Sequence, residues 1–255
     1  MSHMVSGVDA ADSQVNGLYK VGGAAALLIV ALTVVQIVVF IANPPPSTVM
    51  GYFALFQKSA ILGLLAMDLL LMAIYALWGL MYLALFAALR RVSHSLTAIA
   101  TVFGFLGIAI YFASNTAFNM LSLSRQFTAA TTDAQRSAFL AAGQAMLAIY
   151  QGSAFQVSYL FLSAAPLLLS FVMLRSPAFG KATACVGVLG NLLGFGLFVP
   201  GIGITLSVIS VVILAIWNVL IARALFKLPT NEQKGLGPGN RSRRGPRQSG
   251  ELLAG

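Results

Sequence analysis

One carboxylate and two phenols share a face of an otherwise apolar segment. Asp68 is the single acidic residue within the long apolar runs, and Tyr75 and Tyr82 follow it at seven-residue intervals. On a helix, this spacing places the three side chains on nearly the same face. A carboxylate backed by phenolic hydroxyls can hold a proton or a cation, or accept a hydrogen bond from a polar ligand. The three residues are therefore predicted to form a ligand- or ion-binding site.

The depth of Asp68 in the membrane gives it a structural alternative. The residue lies 22 positions before Arg90, which is about 33 Å along a helix, whereas the hydrocarbon layer is about 30 Å thick. An untilted helix therefore places Asp68 at the outer boundary of the membrane. There it can pair with Arg125 or Arg136 and fasten an outer segment. The sequence favours this structural pairing over a transport or binding role.

A second polar pattern recurs every seven residues, at Ser137, Gln144, Gln151 and Ser158. If one helix carries all four, they form a polar line in which Gln144 and Gln151 are the candidate ligand contacts. A break at Gly152 would dissolve the line. The favoured interpretation is that the residues before Gly152 form a solvated helix face, and that the polar group after it makes a helix–helix hydrogen bond.

A glycine face is predicted later in the chain. Gly187, Gly190 and Gly194 share one side of a helix, with Asn191 beside them. The GxxxG spacing of Gly190 and Gly194 permits close backbone approach, and Asn191 can hydrogen-bond across the contact. This pattern predicts helix packing, either within one chain or in a homo-oligomer.

Motifs for catalysis or cofactor binding are missing from the sequence. Cys185 is the one cysteine, so neither an intramolecular disulfide nor a multi-thiolate metal site can form. His94 has no second histidine or cysteine nearby. The sequence also lacks HExxH, GxSxG, P-loop and paired-carboxylate patterns. We therefore expect no enzyme activity, no metal and no cofactor.

Composition indicates an integral membrane protein. Hydrophobic residues make up 59% of the 255 positions and charged residues 8%, and the mean hydropathy is +0.90. Too few polar side chains remain to cover a water-soluble globule, so the lipid bilayer is the expected solvent. Six apolar runs are long enough to span it, at about 21–42, 59–89, 95–114, one ending at 174, 182–199 and 204–222.

The segment between the third and fourth runs is too polar for lipid. Thr132 and Gln135 have the spacing of a capping box at the start of a helix. The predicted fold is therefore all-α: an integral membrane bundle of six transmembrane helices with an extra outer amphipathic helix between helices 3 and 4. Residues 18–228 form this domain, residues 1–17 a flexible N-terminus, and residues 229–255 a disordered basic tail.

Charge predicts the orientation of the bundle. Twelve of the fifteen Lys and Arg residues fall on one side of the six-helix arrangement, which places both termini in the cytoplasm by the positive-inside rule. These twelve are Lys20, Arg90, Arg91, Arg175, Lys181, Arg223, Lys227, Lys234, Arg241, Arg243, Arg244 and Arg247. The tail is expected to contact anionic lipid headgroups, and no nucleic-acid partner is expected.

Several short stretches resemble a pattern found in bacterial multi-pass proteins of the domain of unknown function 4386 family. They are LAMDLL (65–70), ALRR (88–91), TDAQR (132–136), FVPGIG (198–203) and the run from AIW to RALF (215–226). The resemblance covers about 19–228 and implies a six-helix protein of the bacterial inner membrane. The family brings no established activity, so no residue gains a role from it.

Two functions remain open from the sequence. The first is a small transporter or ligand-responsive membrane protein with its polar site around Asp68. The second is a non-catalytic scaffold or interaction protein that uses the glycine face and the basic tail.

Overall fold

The fold was analysed in a computed structural model, which describes the backbone of residues 2–235 and the side chains of residues 15–203 and 205–228. Throughout this part of the chain the regular structure is helical. The helices are α1 (Ser2–Ala42), α2 (Val49–Lys58), α3 (Ala60–Ala66), α4 (Leu69–Leu89), α5 (His94–Ser114), α6 (Ala117–Ala129), α7 (Asp133–Tyr150), α8 (Ser153–Met173), α9 (Lys181–Gly194) and α10 (Gly203–Gly235), with a 3-10 turn at Phe195–Phe198. The prediction of an all-α fold is confirmed.

Six of the helical segments are long and apolar enough to cross a membrane, as the sequence predicted. They contain α1, α4, α5, α8, α9 and α10, and in two of them α6 and α7 extend the apolar helix at one end. Leucine, isoleucine and valine side chains cover the outside of these helices, for example Val38 on α1 and Val212 on α10. This exposed apolar surface suits lipid rather than water.

The six long helices form a closed ring whose spatial order equals their order in the chain. Each of α1, α4, α5, α8, α9 and α10 packs on the next, α10 returns to α1, and α4 also touches α8 across the ring. Fully buried side chains fill the interior, among them Tyr82, Leu85, Leu169 and Trp217. We call this unit the ring.

Two glycines bring α1 close to both of its neighbours in the ring. A Cβ at Gly22 would lie 2.2 Å from Cβ of Ala84 on α4, and one at Gly23 would lie 2.9 Å from the ring of Phe226 on α10. Neither position has room for a side chain. Helix α1 is therefore seated between α4 and α10 by its glycines, at the end where α4 and α10 finish.

A second, smaller core closes the other end of the ring. Helices α2, α3, α6 and α7 pack around buried residues that include Tyr52, Phe53 and Met120. Side-chain hydrogen bonds tie these helices together: Ser124 Oγ donates to the Phe53 carbonyl at 3.1 Å. We call these four helices the cap. The cap adjoins the end at which α1 finishes and α4 begins.

Two cap helices were missed by the sequence analysis, and one predicted helix is divided. No pattern in the sequence predicts α2 or α6, which lie within 43–58 and 115–130. The apolar run 59–89 predicts one helix, but α3 and α4 are separated at Asp68, the one non-glycine residue with positive φ (65°) in the described chain. Asp is among the few residues that tolerate this left-handed conformation. An apolar run predicts that a segment lies in apolar surroundings, but it does not predict where the helix axis changes direction.

The side chain of Asn115 connects the break between α3 and α4 with the break between α5 and α6. Its Nδ2 donates to the Met67 carbonyl at 2.9 Å, and its Oδ1 accepts from the Ala117 amide at 3.0 Å. One side chain therefore satisfies backbone groups that both interruptions leave free.

The ends of the predicted domains lie within helices. Helix α1 already begins at Ser2, where the sequence predicted a flexible segment, and α10 continues to Gly235, into the predicted tail. The rest of that tail, 236–255, lies outside the described residues. At the start of α7 the capping box is present, with Gln135 N donating to Thr132 Oγ1 at 3.2 Å.

Candidate functional site

The Asp68 carboxylate lies where the cap meets the ring. Its left-handed backbone turns the chain from α3 of the cap into α4 of the ring. The hydroxyl of Tyr150, at the last residue of α7, donates a hydrogen bond to Asp68 Oδ2. This contact joins residues 82 positions apart in the chain. It links the end of α3 to the end of α7, two places where the chain passes from the cap into the ring.

Further tyrosines surround this pair. Tyr111, on α5, places a second buried hydroxyl close to Asp68, although outside hydrogen-bond geometry. The ring of Tyr75 packs edge-on against that of Tyr111, with centroids 4.7 Å apart. Tyr52, from α2, completes the group on the cap side, within reach of the Asp68 charge. Phenols from four helices therefore surround one carboxylate.

Burial in this cluster shifts the pKa values of Asp68 and Tyr52, which lie outside the membrane-spanning helices. Burial raises the pKa of Asp68 above its usual range, and the hydroxyls of Tyr150 and Tyr111 partly oppose this effect. Burial also raises the pKa of Tyr52 to about 12, with a smaller contribution from the negative charge of Asp68. The arrangement can therefore take up a proton on the carboxylate more readily than an exposed aspartate can.

Below the cluster, the ring encloses a cavity of about 320 Å³. Tyr75 and Tyr82, which the sequence placed on the face of Asp68, both line it. Only Tyr75 is also in contact with the cluster, through Tyr111, while Tyr82 lies two turns farther along α4. The three residues predicted to form one polar site therefore belong to two adjoining sites, and Tyr75 lies at the boundary between them.

The predicted arginine partners of Asp68 lie elsewhere. Arg125 on α6 and Arg136 on α7 are both exposed, and within the described residues neither forms an ion pair with the carboxylate. Asp68 is bonded to Tyr150 instead. The structural pairing favoured by the sequence is corrected: the cap is fastened to Asp68 by a phenol and not by a cation.

The predicted polar line is also interrupted. Helix α7 ends at Tyr150 and α8 begins at Ser153, so Gly152 breaks the line as the alternative interpretation stated. Gln144 and Gln151 are exposed and do not reach the cavity or Asp68. A seven-residue repeat requires an unbroken helix to keep its members on one face, and two residues of turn are enough to separate them.

The glycine face of α9 packs inside the ring. A Cβ at Gly187 would lie 2.3 Å from Ser170 Oγ of α8 and from Trp217 Nε1 of α10, and one at Gly190 would lie 2.9 Å from Leu214. Gly194, at the end of α9, lines the cavity. The face therefore serves contacts within one chain.

Asn191 does not bond across this contact as predicted. Its Nδ2 donates to the Gly187 carbonyl of its own helix at 2.7 Å. The bond between α9 and α10 is made by Ser210, whose Oγ donates to the Gly190 carbonyl at 2.8 Å. A side chain that can reach its own i−4 carbonyl competes with the cross-helix partner.

Sequence reasoning missed the partners that matter most. No role is assigned to Tyr150 in the sequence analysis. Tyr111 lies at the end of an apolar run, and Gln36 is the single amide in the first run. A usable signal was present: six of the seven tyrosines line the cluster or the cavity. Within the described residues, no group of three or more His, Cys, Asp or Glu side chains is placed to hold a metal ion.

Comparison with known proteins gives no further identification. No protein-family model matches the chain, and neither a curated protein nor a solved structure matches it. The resemblance noted from short sequence stretches therefore stays a prediction.

Proposed function

We propose that this protein is a small membrane transporter or ligand-responsive membrane protein whose polar site is centred on Asp68. In this proposal the carboxylate takes up and releases a proton or a small cation. Because Tyr150 is bonded to the same carboxylate, a change in the charge of Asp68 alters the contact between cap and ring. The cap then controls access to the ring interior.

The observation that supports this proposal is the unusual partner set of Asp68. The carboxylate is surrounded by phenols from α2, α4, α5 and α7, and its hydrogen bond comes from Tyr150. A carboxylate kept only for stability is expected to be paired with a cation when it is buried. A partly buried carboxylate where two groups of helices meet is instead a typical proton or ion site in membrane proteins.

We infer that the membrane is the bacterial inner membrane, with the cap outside and both termini in the cytoplasm. The seven Lys and Arg residues at the end opposite the cap are exposed, whereas the cap carries three. Cytoplasmic ends of membrane helices are enriched in these residues. The seven are Lys20, Arg90, Arg91, Arg175, Lys181, Arg223 and Lys227.

The experiment is a measurement of proton and cation flux in proteoliposomes. Wild type is compared with Asp68→Asn, which keeps a hydrogen-bond acceptor for Tyr150 and a residue type that tolerates the left-handed backbone. Asp133→Asn makes the same exchange at an exposed carboxylate of the cap and serves as the matched control. We expect flux in wild type and in Asp133→Asn, and its loss in Asp68→Asn.

Folding must be checked alongside flux. Circular dichroism and size-exclusion chromatography in detergent should show the same fold for all three proteins. Equal flux in wild type and a folded Asp68→Asn protein would contradict the role of Asp68. Absence of flux in every protein, together with a less stable Asp68→Asn, would assign Asp68 to stability alone.

The scaffold alternative draws no support from the described residues. It relied on a free glycine face on α9, and that face is occupied by Ser170, Leu214 and Trp217 of the same chain. Its second element, the basic tail beyond residue 235, lies outside the described residues.

A further inference from the structure

The cavity of the ring contains polar groups without a hydrogen-bond partner among the described residues. Gln36 on α1 is 8% exposed, and neither its amide nitrogen nor its amide oxygen has a hydrogen-bond partner within the described residues. The Oδ1 of Asn218 on α10 and the hydroxyl of Tyr82 on α4 are buried without partners in the same way. All three residues line the cavity. A buried donor or acceptor without a partner is unfavourable, so three such residues around one space indicate a ligand.

Three of the polar side chains lie at one depth. Gln36 is six positions before the end of α1, and Tyr75 and Tyr159 are six positions after the starts of α4 and α8. Six positions correspond to about 9 Å of helix. These three polar side chains therefore form a belt below the cap, and Trp78, Tyr82 and Asn218 line the deeper part.

The lining also defines the charge of the ligand. None of the side chains that line the cavity is acidic or basic. An ion bound there would lack a counter-charge in a region of low dielectric constant, which is costly. Phe40, Trp78 and three tyrosines provide flat apolar surfaces. The cavity therefore suits a neutral molecule with a ring system, for which the amide of Gln36 offers one donor and one acceptor.

The cavity opens toward the lipid between α1 and α10. Ile37 and Val211 line the cavity and are 44% and 38% exposed. Each shares its helix face with strongly exposed neighbours, Val34 on α1 and Val208 on α10, so that both lie on the outside of the ring as well. At the opposite end Gly23 brings α1 and α10 into contact. A lipid-soluble molecule can therefore enter sideways from the bilayer.

We propose that this cavity binds a neutral, ring-bearing, lipid-soluble molecule that presents both a hydrogen-bond donor and an acceptor to Gln36. The inference rests on the proposed function, because it names the class of molecule that the protein carries or senses. It differs from that proposal in its residues, since Gln36, Asn218 and the lateral opening are separate from Asp68.

The chain provides its own reporter for binding. It contains two tryptophans: Trp78 lines the cavity, and Trp217 lies beside it, with ring centroids 6.0 Å apart. The test is quenching of their fluorescence by 4-bromobenzamide, a neutral aromatic amide whose bromine atom quenches on contact, with the full chain in vesicles of neutral lipid. Bromobenzene, which lacks the amide, and 4-bromobenzoate, which is charged, are the comparison probes.

Three variants define the expected result. Gln36→Leu removes the amide at nearly constant volume. Gly194→Leu fills the cavity, and its Cβ is accommodated at 3.5 Å from Ser163 Oγ and Ser210 Oγ. Gln156→Leu makes the same exchange as Gln36→Leu at an exposed position of α8. We expect saturable quenching by 4-bromobenzamide in wild type and Gln156→Leu, affinity about tenfold weaker in Gln36→Leu, and no saturable component in Gly194→Leu.

Three outcomes of the quenching assay would overturn the proposal. Quenching that rises linearly with probe concentration and is equal in all variants would mean partition into the bilayer only, with the cavity occupied by lipid or water. Equal affinity for bromobenzene and 4-bromobenzamide would exclude recognition by the amide, and tighter binding of 4-bromobenzoate would exclude a neutral ligand. Flux in wild type without saturable quenching would contradict the proposed ligand of the cavity and leave the proposed role of Asp68 intact. Saturable quenching without flux would contradict the role of Asp68 in transport and leave the cavity proposal intact.

Discussion

The hydroxyl of Tyr150 is bonded to the carboxylate of Asp68, and both residues lie at points where helices are interrupted. Tyr150 ends α7, and Asp68 separates α3 from α4. The two interruptions are thereby held together at the boundary between cap and ring. A contact at two chain breaks can change without unfolding either helix, which is the property a movable junction requires.

The strength of this contact can be measured by removing one hydroxyl. Tyr150→Phe should destabilise the cap by ~1.5 kcal/mol, because it leaves the carboxylate without its donor. The expected readout is faster amide hydrogen exchange in α2, α3, α6 and α7, with the ring unchanged. Tyr52→Phe is the matched control, since the Tyr52 hydroxyl forms no hydrogen bond within the described residues. Equal exchange in both variants would show that the bond does not hold the cap.

The left-handed backbone at position 68 makes a prediction that is independent of charge. Asp68→Gly and Asp68→Ala both remove the carboxyl group, but only glycine adopts φ 65° without steric cost. The glycine variant should therefore be more stable than the alanine variant by about 1 kcal/mol, as measured by thermal unfolding in detergent. The opposite order would mean that the break between α3 and α4 is not in this conformation in solution.

The raised pKa of Asp68 predicts how stability depends on pH. The fold favours the neutral carboxyl, so its stabilising contribution is complete below the pKa of the unfolded chain, about 3.9, and is lost as pH rises through the higher folded-state pKa. Wild type should therefore lose stability relative to Asp68→Asn as pH increases across this window. Melting temperatures from pH 3.5 to pH 8 would test the trend.

The matched control for this pH series is Asp133→Asn, which should follow wild type because its carboxylate is exposed. A constant difference between wild type and Asp68→Asn at all pH values would contradict a raised pKa.

The orientation of the bundle is tested with the single cysteine removed. In a Cys185→Ala background, Ser137→Cys marks the cap and Ser95→Cys marks the opposite end, and both serines are exposed. A membrane-impermeant maleimide added to spheroplasts should label the cap cysteine and spare the other until the membrane is broken. Labelling of Ser95→Cys alone would reverse the proposed orientation.

The fold class could be predicted because it depends on length and hydropathy. Six runs of apolar residues are enough to specify six long helices. The cap could not be predicted in the same way. Helices α2 and α6 lie in short segments of mixed polarity, and their stability comes from packing against each other around Phe53 and Met120, which no local pattern reveals.

The candidate site was predicted only in part, for a related reason. Asp68 was singled out because a carboxylate in an apolar run is rare, and the tyrosines on its own helix were found by their spacing. Tyr111 and Tyr150 come from other helices, and Gln36 lies 32 positions earlier in the chain. Periodicity finds neighbours along one helix, whereas the partners of a buried polar group are set by which helices the ring brings side by side.

The order of the ring also constrains how the protein can be assembled. Every neighbouring pair but one is consecutive among the long helices, so each contact can form as soon as the next helix has been made. The contact between α1 and α10 is the exception, because it must wait until the sixth of these helices has been made. The lateral opening of the cavity lies along this last seam. Until α10 has been made, the cavity around Gln36 lacks one wall, and the sixth helix is the one that turns an open arc into a chamber.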